Sequence, residues 1–342
     1  MTRAVISRAP LKEDRNVRCT IDMSAVLGGV VVPDPVLTAS GCAASGRELE
    51  QFMDLTSLGA MVTKSVMLAP RSGRATPRMA ETPSGMLNSI GLQGPGIEAF
   101  LAEDLPWLLA RGIRAVVSIA GSSVEEYTKL AQRLRHVEGI TAIEVNISCP
   151  NVENRGQVFA CDASTAAAVI GSVRRYSSPS VPILAKLSPD VTDIVEIASS
   201  VVDAGADGLT LINTLLGMVI DPITMRPALA GVTGGLSGPA IRPVAVRCVY
   251  QVHAALPDVP ILGVGGIRTG LDALEFILAG ASAVSVGTAT FNDPAAPERV
   301  SRELGRAVAA RGFDRLADAV GFAHRQDPIA LAEQHLVESV EG

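Results

Sequence analysis

The chain has 342 residues, 48% of them hydrophobic and 19% charged, with a formal net charge of −6. That hydrophobic fraction excludes a disordered chain, and an acidic balance with no Lys/Arg cluster excludes a protein whose main partner is a nucleic acid. Aromatic residues make up only 3%, so the core must come mainly from Val, Ile, Leu and Ala, the composition of buried parallel strands covered by helices.

Residues 1–18 form an N-terminal extension in which basic and apolar residues alternate, without a signal-peptide core or cleavage site. No apolar run reaches the roughly 18 to 20 residues that span a bilayer, and the longest early stretch, 25–32, is interrupted by Gly28 and Gly29. No membrane partner and a cytoplasmic location are therefore expected. Beyond residue 32 a short apolar run and a helical pattern alternate down the chain. Candidate strands end near Ala39, Thr63, Ser118, Asn146, Lys186, Ile212, Val264 and Val286. Helix-like stretches cover 123–136, 163–175, 192–204, 270–279 and 297–311.

Eight such units predict an α/β protein folded as a (β/α)8 TIM barrel over 19–320, with a C-terminal tail over 321–342. Residues 19–32 read as a hairpin capping the N-terminal mouth of that barrel. An open doubly wound sheet is the rival. It would usually carry a G-x-G-x-x-G turn after its first strand, and Ser40-Gly41-Cys42-Ala43-Ala44-Ser45-Gly46 lacks that spacing. Two insertions break the rhythm, 66–96 and 215–243; loops of such length inside a compact domain are usually lids or binding loops.

The five cysteines, Cys19, Cys42, Cys149, Cys161 and Cys248, are scattered and odd in number, which does not suit a disulfide framework. No C-x2-C or C-x4-C spacing is present, so no iron–sulfur or other metal site is expected within this chain. Cys42 and Cys248 read as small buried hydrophobes. Cys149 stands apart, since Pro150 follows it in a turn just past the fourth strand. His136, His253, His324 and His335 fall on helices or in the tail, poorly placed to act as a base.

The remaining polar residues gather at one end of the inferred strands, and in a barrel the C-terminal strand ends converge on one site. Lys64 and Lys186 end apolar strands, where an ammonium is costly unless paired; each either bridges to a carboxylate or the rim, or serves an anionic ligand. Gly265-Gly266 and Gly287-Thr288 follow the seventh and eighth strands, the usual place for a phosphate held by backbone amides, although glycine pairs also serve as plain turns. Asn88, Asn146, Asn151 and Asn213 offer amides that both donate and accept, which suits a planar ring of alternating N–H and C=O groups.

These segments together resemble class 1 dihydroorotate dehydrogenases over most of the chain, from Ile21 to about Val320. The matching runs are Thr38-Ala39-Ser40-Gly41, Thr63-Lys64-Ser65, Asn88-Ser89-Ile90-Gly91-Leu92, Asn146 to Asn151, Lys186-Leu187-Ser188-Pro189, Asn213-Thr214, Gly265-Gly266-Ile267 and Gly287-Thr288. Asn213 to Met218 and Gly234 to Pro239 look like class 1B, in which the FMN subunit pairs with a second polypeptide carrying FAD and a [2Fe–2S] cluster and reduces NAD. The resemblance implies FMN contacts from Ser40, Lys64, Ser65, Asn146, Lys186, Ile212, Gly238, Gly265, Gly266, Gly287 and Thr288. It implies contacts to dihydroorotate or orotate from Lys64, Asn88, Ser89, Ile90, Gly91, Leu92, Asn146, Asn213 and Thr214. Cys149 would be the base, Lys186 its catalytic companion beside the flavin, and the subunit a homodimer.

The sequence departs from the pattern in three places. Ser118 stands where class 1B members generally carry Asn, Glu153-Asn154-Arg155-Gly156 replaces a His-Gly-Gly run, and Phe159-Ala160-Cys161-Asp162 replaces Phe-Gly-Thr-Asp. Two alternatives stand beside this reading: a dihydropyrimidine dehydrogenase-like enzyme acting on another pyrimidine, and a non-catalytic flavin-binding subunit.

Overall fold

The computed structural model describes residues 21–147 and 162–325. Its centre is an eight-stranded parallel sheet: β1 Val36–Thr38, β2 Met61–Val62, β3 Ala115–Ile119, β4 Ile140–Asn146, β5 Ile183–Leu187, β6 Gly208–Leu211, β7 Ile261–Val264 and β8 Ala283–Val286. Around the sheet the strands pair in chain order from β2 to β7, then β7 with β8 and β8 with β1. All eight are buried along their described length except at isolated positions such as Thr141, because helices cover the outer face while side chains fill the inside.

Closure comes at the seam between β1 and β2. Leu37 and Ala60 form a parallel bridge, and the Gly59 amide donates to the Val36 carbonyl at 2.9 Å. One residue on, a side chain completes the seam. The Val62 N–H donates to Thr38 Oγ1 at 3.0 Å, and that hydroxyl donates to the Val62 carbonyl at 3.4 Å. The two shortest strands thus rely on a buried threonine where regular backbone pairing runs out.

Seven helices follow strands β2 to β8: α1 Leu105–Ala110, α2 Val124–Leu134, α3 Ala163–Tyr176, α4 Ile194–Asp203, α5 Arg242–Ala255, α6 Gly270–Ala279 and α7 Ala296–Ala309. After β1 only the short turns Leu49–Gln51 and Leu55–Ser57 are present. Local chemistry sets several of the starts. Ser123, Asp162, Asp193 and Thr269 each accept a backbone N–H at a helix N-terminus, and Thr269 with Asp272 forms a reciprocal capping box. The helical stretches expected at 123–136, 163–175, 192–204, 270–279 and 297–311 correspond to α2, α3, α4, α6 and α7.

The early hairpin pairs Ala25–Leu27 with Val30–Val32. At its turn a Cβ on Gly28 would lie 2.8 Å from Pro182 Cβ and 3.2 Å from Leu184, at the N-terminal end of β5. The hairpin therefore sits against the mouth opposite the strand ends that carry the polar residues. At the other end of the chain, Gly321 donates to the Ile277 carbonyl at 2.9 Å and a ring nitrogen of His324 lies 3.0 Å from the Ala279 carbonyl, so packing on α6 extends through the described start of the tail. Among the described residues no helix is long and apolar enough to cross a membrane.

The two insertions are not open loops. Met79–Thr82, Gly85–Asn88, Gly234–Ser237 and Leu215–Gly217 form one antiparallel sheet, the first two strands from one insertion and the last two from the other. Register is set by Asn88 facing Gly235, and Asn88 Nδ2 donates to the Gly235 carbonyl at 3.3 Å. No local period reveals this sheet, because the pairing that joins its two halves, Gly85–Asn88 with Gly234–Ser237, links residues about 150 positions apart.

The seam gives a direct test. Thr38→Val keeps the shape of the side chain and leaves the buried Val62 N–H without its acceptor, so it should destabilise the barrel by about 1–3 kcal/mol. Chemical denaturation of the two proteins measures this; an unchanged midpoint would show that the seam does not depend on the hydroxyl.

Candidate active site

Above the C-terminal ends of the strands lies a cleft of about 870 Å³. Every barrel strand except β3 sends a lining residue into it, either from its own end or from the turn after it. Ser40 comes from beyond β1, Lys64 and Ser65 from beyond β2, Asn146 from the end of β4 and Lys186 from β5. Ile212, Asn213 and Thr214 follow β6, Gly265 and Gly266 follow β7, and Gly287 and Thr288 follow β8. Residues separated by up to 248 positions in the chain, Ser40 to Thr288, thus share one wall of space because strand ends converge.

The floor of the cleft is polar and almost dry. Lys186 is 5% exposed and its Nζ lies 3.5 Å from Oε1 of Glu144, which is 1% exposed. Both readings of this lysine therefore meet in one residue: it bridges to a carboxylate and it faces the cleft. The same Glu144 oxygen accepts from Ser118 Oγ at 3.0 Å. Ser118 and Ser65 hydroxyls are 2.9 Å apart, Asn146 Nδ2 donates to Ser65 Oγ at 3.1 Å, and Ser40 Oγ lies 3.3 Å from Ser65 Oγ. Strand register explains the grouping, since Ser118 is level with Glu144 and Asn146 with Lys186. Tyr127 on α2 donates its hydroxyl to the Asn146 carbonyl at 2.7 Å, tying the end of β4 to the helix layer.

At the opposite side the backbone comes bare to the surface. Gly266 has φ +75, and a Cβ there would lie 2.8 Å from the Gly238 carbonyl oxygen and 2.9 Å from Arg242 Cβ. Gly265, at φ +140, would press on Ala245 Cβ at 2.7 Å. Neither position accepts a side chain without a shift, so the β7 turn meets the cleft through main chain alone. Gly287 keeps a negative φ, −115, but its ψ of −99 lies outside both the helical and the extended regions. Thr288 Oγ1 donates to Ser237 Oγ at 2.9 Å, which ties the β8 turn to the insertion sheet.

That sheet forms the remaining wall. Asn88, Ile90, Gly91, Leu92 and Gly238 all line the cleft. Ser89 does not: it is 4% exposed, and its hydroxyl accepts from Arg74 Nη1 at 3.0 Å, behind the wall. Asn151, Cys149, Asn154, Arg155, Ala160 and Cys161 lie outside the described residues. Among the residues given no role from sequence, Ser237 and Arg268 line the cleft and Glu144 lies against Lys186 beneath it; Glu144 is the one that left a signal, the lone acid of its strand, two positions before Asn146.

A closed parallel barrel with ammonium groups, amides and bare glycine turns over its C-terminal strand ends defines an α/β-barrel protein of the enzyme type. A family model described as "Dihydroorotate dehydrogenase" matches residues 23–308. The catalytic subunit of dihydroorotate dehydrogenase B (NAD(+)) from Pelobacter propionicus is 51% identical over 300 residues, covering 88% of this chain and 98% of that protein. The same subunit from Desulforudis audaxviator is 49% identical over 305 residues, with 89% and 98% covered. A crystal structure of an Eimeria tenella dihydroorotate dehydrogenase with ferulenol shares the fold, with a TM-score of 0.73 over 93% of this chain and 92% of that one, at 23% identity. The chain belongs to the dihydroorotate dehydrogenase family.

Cys248 is buried in α5, as expected of a small hydrophobe, but Cys42 is not simply core. It is half-buried, lines the cleft, and lies 3.3 Å from where a Cβ on Gly287 would stand. The reason is local: it occupies the turn just past β1, at the rim that every strand end shares. Burial pushes its thiol up to about 11, against the opposing pull of the Lys186 and Lys64 ammonium groups. Cys42 is then protonated at neutral pH. Its alkylation by iodoacetamide, followed by peptide mapping, should stay slow at pH 8 and accelerate only as pH approaches about 11; rapid modification at pH 8 would contradict that environment.

Proposed function

We propose that this chain is the FMN-holding catalytic subunit of a B-type dihydroorotate dehydrogenase. It oxidises (S)-dihydroorotate to orotate in pyrimidine synthesis and passes the electrons to NAD through a partner subunit bearing FAD and a [2Fe–2S] cluster. The observation that carries this reading is the single cleft that gathers Lys64, Asn146, Lys186 and the glycine turns after β7 and β8. Kinship at about half identity along nearly the whole length of B-type catalytic subunits supports the subtype. A homodimeric core and a cytoplasmic location complete the proposal.

The residues fit FMN. The β7 turn offers a surface from which any side chain is excluded, suited to a phosphate approaching backbone amides, and Gly287 with Thr288 adds a second set. Ser40, Ser65, Asn146, Ile212 and Gly238 supply further contacts around a flat ring. When bound, FMN supplies the acceptor for the hydride that leaves C6 of the substrate. Lys186 presents a fixed ammonium where negative charge develops, with Lys64 as a second cation shared with the substrate carboxylate. Asn88, Asn146, Asn213 and Thr214 offer the donors and acceptors that a pyrimidine ring requires, with Ile90, Gly91 and Leu92 shaping the same side.

Cys149 is assigned as the base, taking the C5 proton on Sγ. It lies outside the described residues, and the assignment rests on its place three residues past Asn146, at the end of β4, together with the family resemblance. An unperturbed thiol has a pKa of about 8.5, so the rate should rise with pH towards that value as the thiolate forms.

Three measurements test the proposal. Cys149→Ala should remain yellow and bind orotate while turnover falls by roughly two or more orders of magnitude; near-normal turnover removes Cys149 from the role. Gly266→Ala should purify with little flavin, because its Cβ has no room beside the Gly238 carbonyl. Bleaching of the wild-type flavin by reduced uracil or thymine, and not by dihydroorotate, would overturn the substrate assignment.

A further inference from the structure

We infer that Glu144 is a positioning residue which sets the hydrogen-bond polarity of the cleft floor through Ser118 and, by direct pairing, the placement of the Lys186 ammonium. The inference rests on the reading of the cleft as an FMN site and concerns Glu144 and Ser118, to which that reading gives no role.

Counting protons fixes the direction of each bond. Ser118 Oγ has a single proton and gives it to Glu144 Oε1 at 3.0 Å. The bond between Ser118 and Ser65, 2.9 Å long, must then be donated by Ser65. With its only proton committed, Ser65 can only accept, so Asn146 Nδ2 at 3.1 Å and Ser40 Oγ at 3.3 Å both donate to it. One carboxylate therefore directs a line of donors running from Ser40 and Asn146 through Ser65 and Ser118 to itself. The amide orientation of Asn146 follows from the network rather than from choice, and its Oδ1 is the end turned away from Ser65. Without the carboxylate each hydroxyl is free to reverse, and Asn146 to flip.

The same oxygen also holds Lys186. A buried ion pair gains little net stability over apolar residues of similar volume, because both charges lose their water. At 1% and 5% exposure, Glu144 and Lys186 would contribute little to the fold alone. Their use lies at the cleft, where an ammonium tethered from below cannot swing away from a developing anion. The ammonium and the hydroxyl line are coupled at Glu144 Oε1.

The test uses FMN-loaded full-length protein carrying Glu144→Gln or Ser118→Ala, compared with wild type by reduction potential of the bound flavin, steady-state kinetics and thermal stability. Glu144→Gln releases the ammonium and should move the flavin potential to a more negative value and lower kcat by on the order of a hundredfold in the flavin-loaded fraction. Ser118→Ala leaves the ion pair in place but cuts the hydroxyl line; it should raise KM for dihydroorotate about tenfold or more while the potential stays at the wild-type value. Loss of thermal stability with potential, kcat and KM all unchanged in the loaded fraction would reduce both residues to structural roles. An upward shift of the potential in Glu144→Gln would also overturn the inference, since it would mean that the carboxylate acts only as a nearby negative charge. A wild-type chain that takes up no flavin would defeat the reading of the cleft; a wild-type holoenzyme with indifferent variants would defeat only the positioning role.

Discussion

Everything in this molecule depends on the sheet meeting itself. Eight strands that close at the β1–β2 seam bring eight C-terminal ends around one axis, and the cleft exists only because of that convergence. The seam is also the least regular part of the barrel, made of a three-residue and a two-residue strand with Thr38 standing in for a missing pair of backbone bonds. Ser40 and Lys64 follow directly from those two strands. The placement of two cleft-lining side chains and the closure of the fold are thus the same event.

Closure alone would leave a basin open on top. The insertion sheet supplies the missing wall, and it does so by pairing two segments that the chain itself keeps far apart. Its attachment to the barrel combines Leu215 and Leu236, packed against the core, with two polar ties: Thr288 to Ser237, and the Leu216 amide to Asp190 Oδ2 at 2.9 Å. The floor, by contrast, is built from barrel strands with nearly all of its polar atoms out of water. A dry floor strengthens each electrostatic contact made on it, and it equally raises the cost of any polar group left without a partner.

Much of this is readable from the residues. Strand ends at Ala39, Thr63, Ser118, Asn146, Lys186, Ile212, Val264 and Val286 can be found because buried parallel strands are short, apolar and bounded by polar or glycine turns, and because Ser, Asp and Thr caps mark the helices after them. The grouping of Lys64, Asn146, Lys186 and the glycines in one cleft follows from the rule that barrel sites lie at C-terminal strand ends. The features that escape have a common cause. The insertion sheet depends on contacts between residues such as Asn88 and Gly235, which no local period records. Cys42 reads as core because a single thiol carries no mark of the rim it stands on. Ser89 sits in the right run of residues, but one position past the strand Gly85–Asn88 its hydroxyl turns to Arg74, a contact no run of residues records.

Glu144 shows where sequence reasoning stops short even when a signal exists. An acid inside Ile140–Asn146 is conspicuous, and Lys186 demands a counter-charge once it is placed inside a barrel. Only register joins the two facts: Asn146 level with Lys186, Ser118 level with Glu144, and period-two alternation turning Glu144 and Asn146 to the same face. Once joined, they change what the lysine is. A lysine alone at a strand end is a mobile cation that water can claim; held from beneath by a carboxylate whose other partner is a serine in line with the site, it becomes a fixed charge with a defined direction. The departure at Ser118 acquires a physical meaning in the same step, because a hydroxyl, with one proton to give and lone pairs to receive, is the smallest group able to pass the polarity of Glu144 on to Ser65.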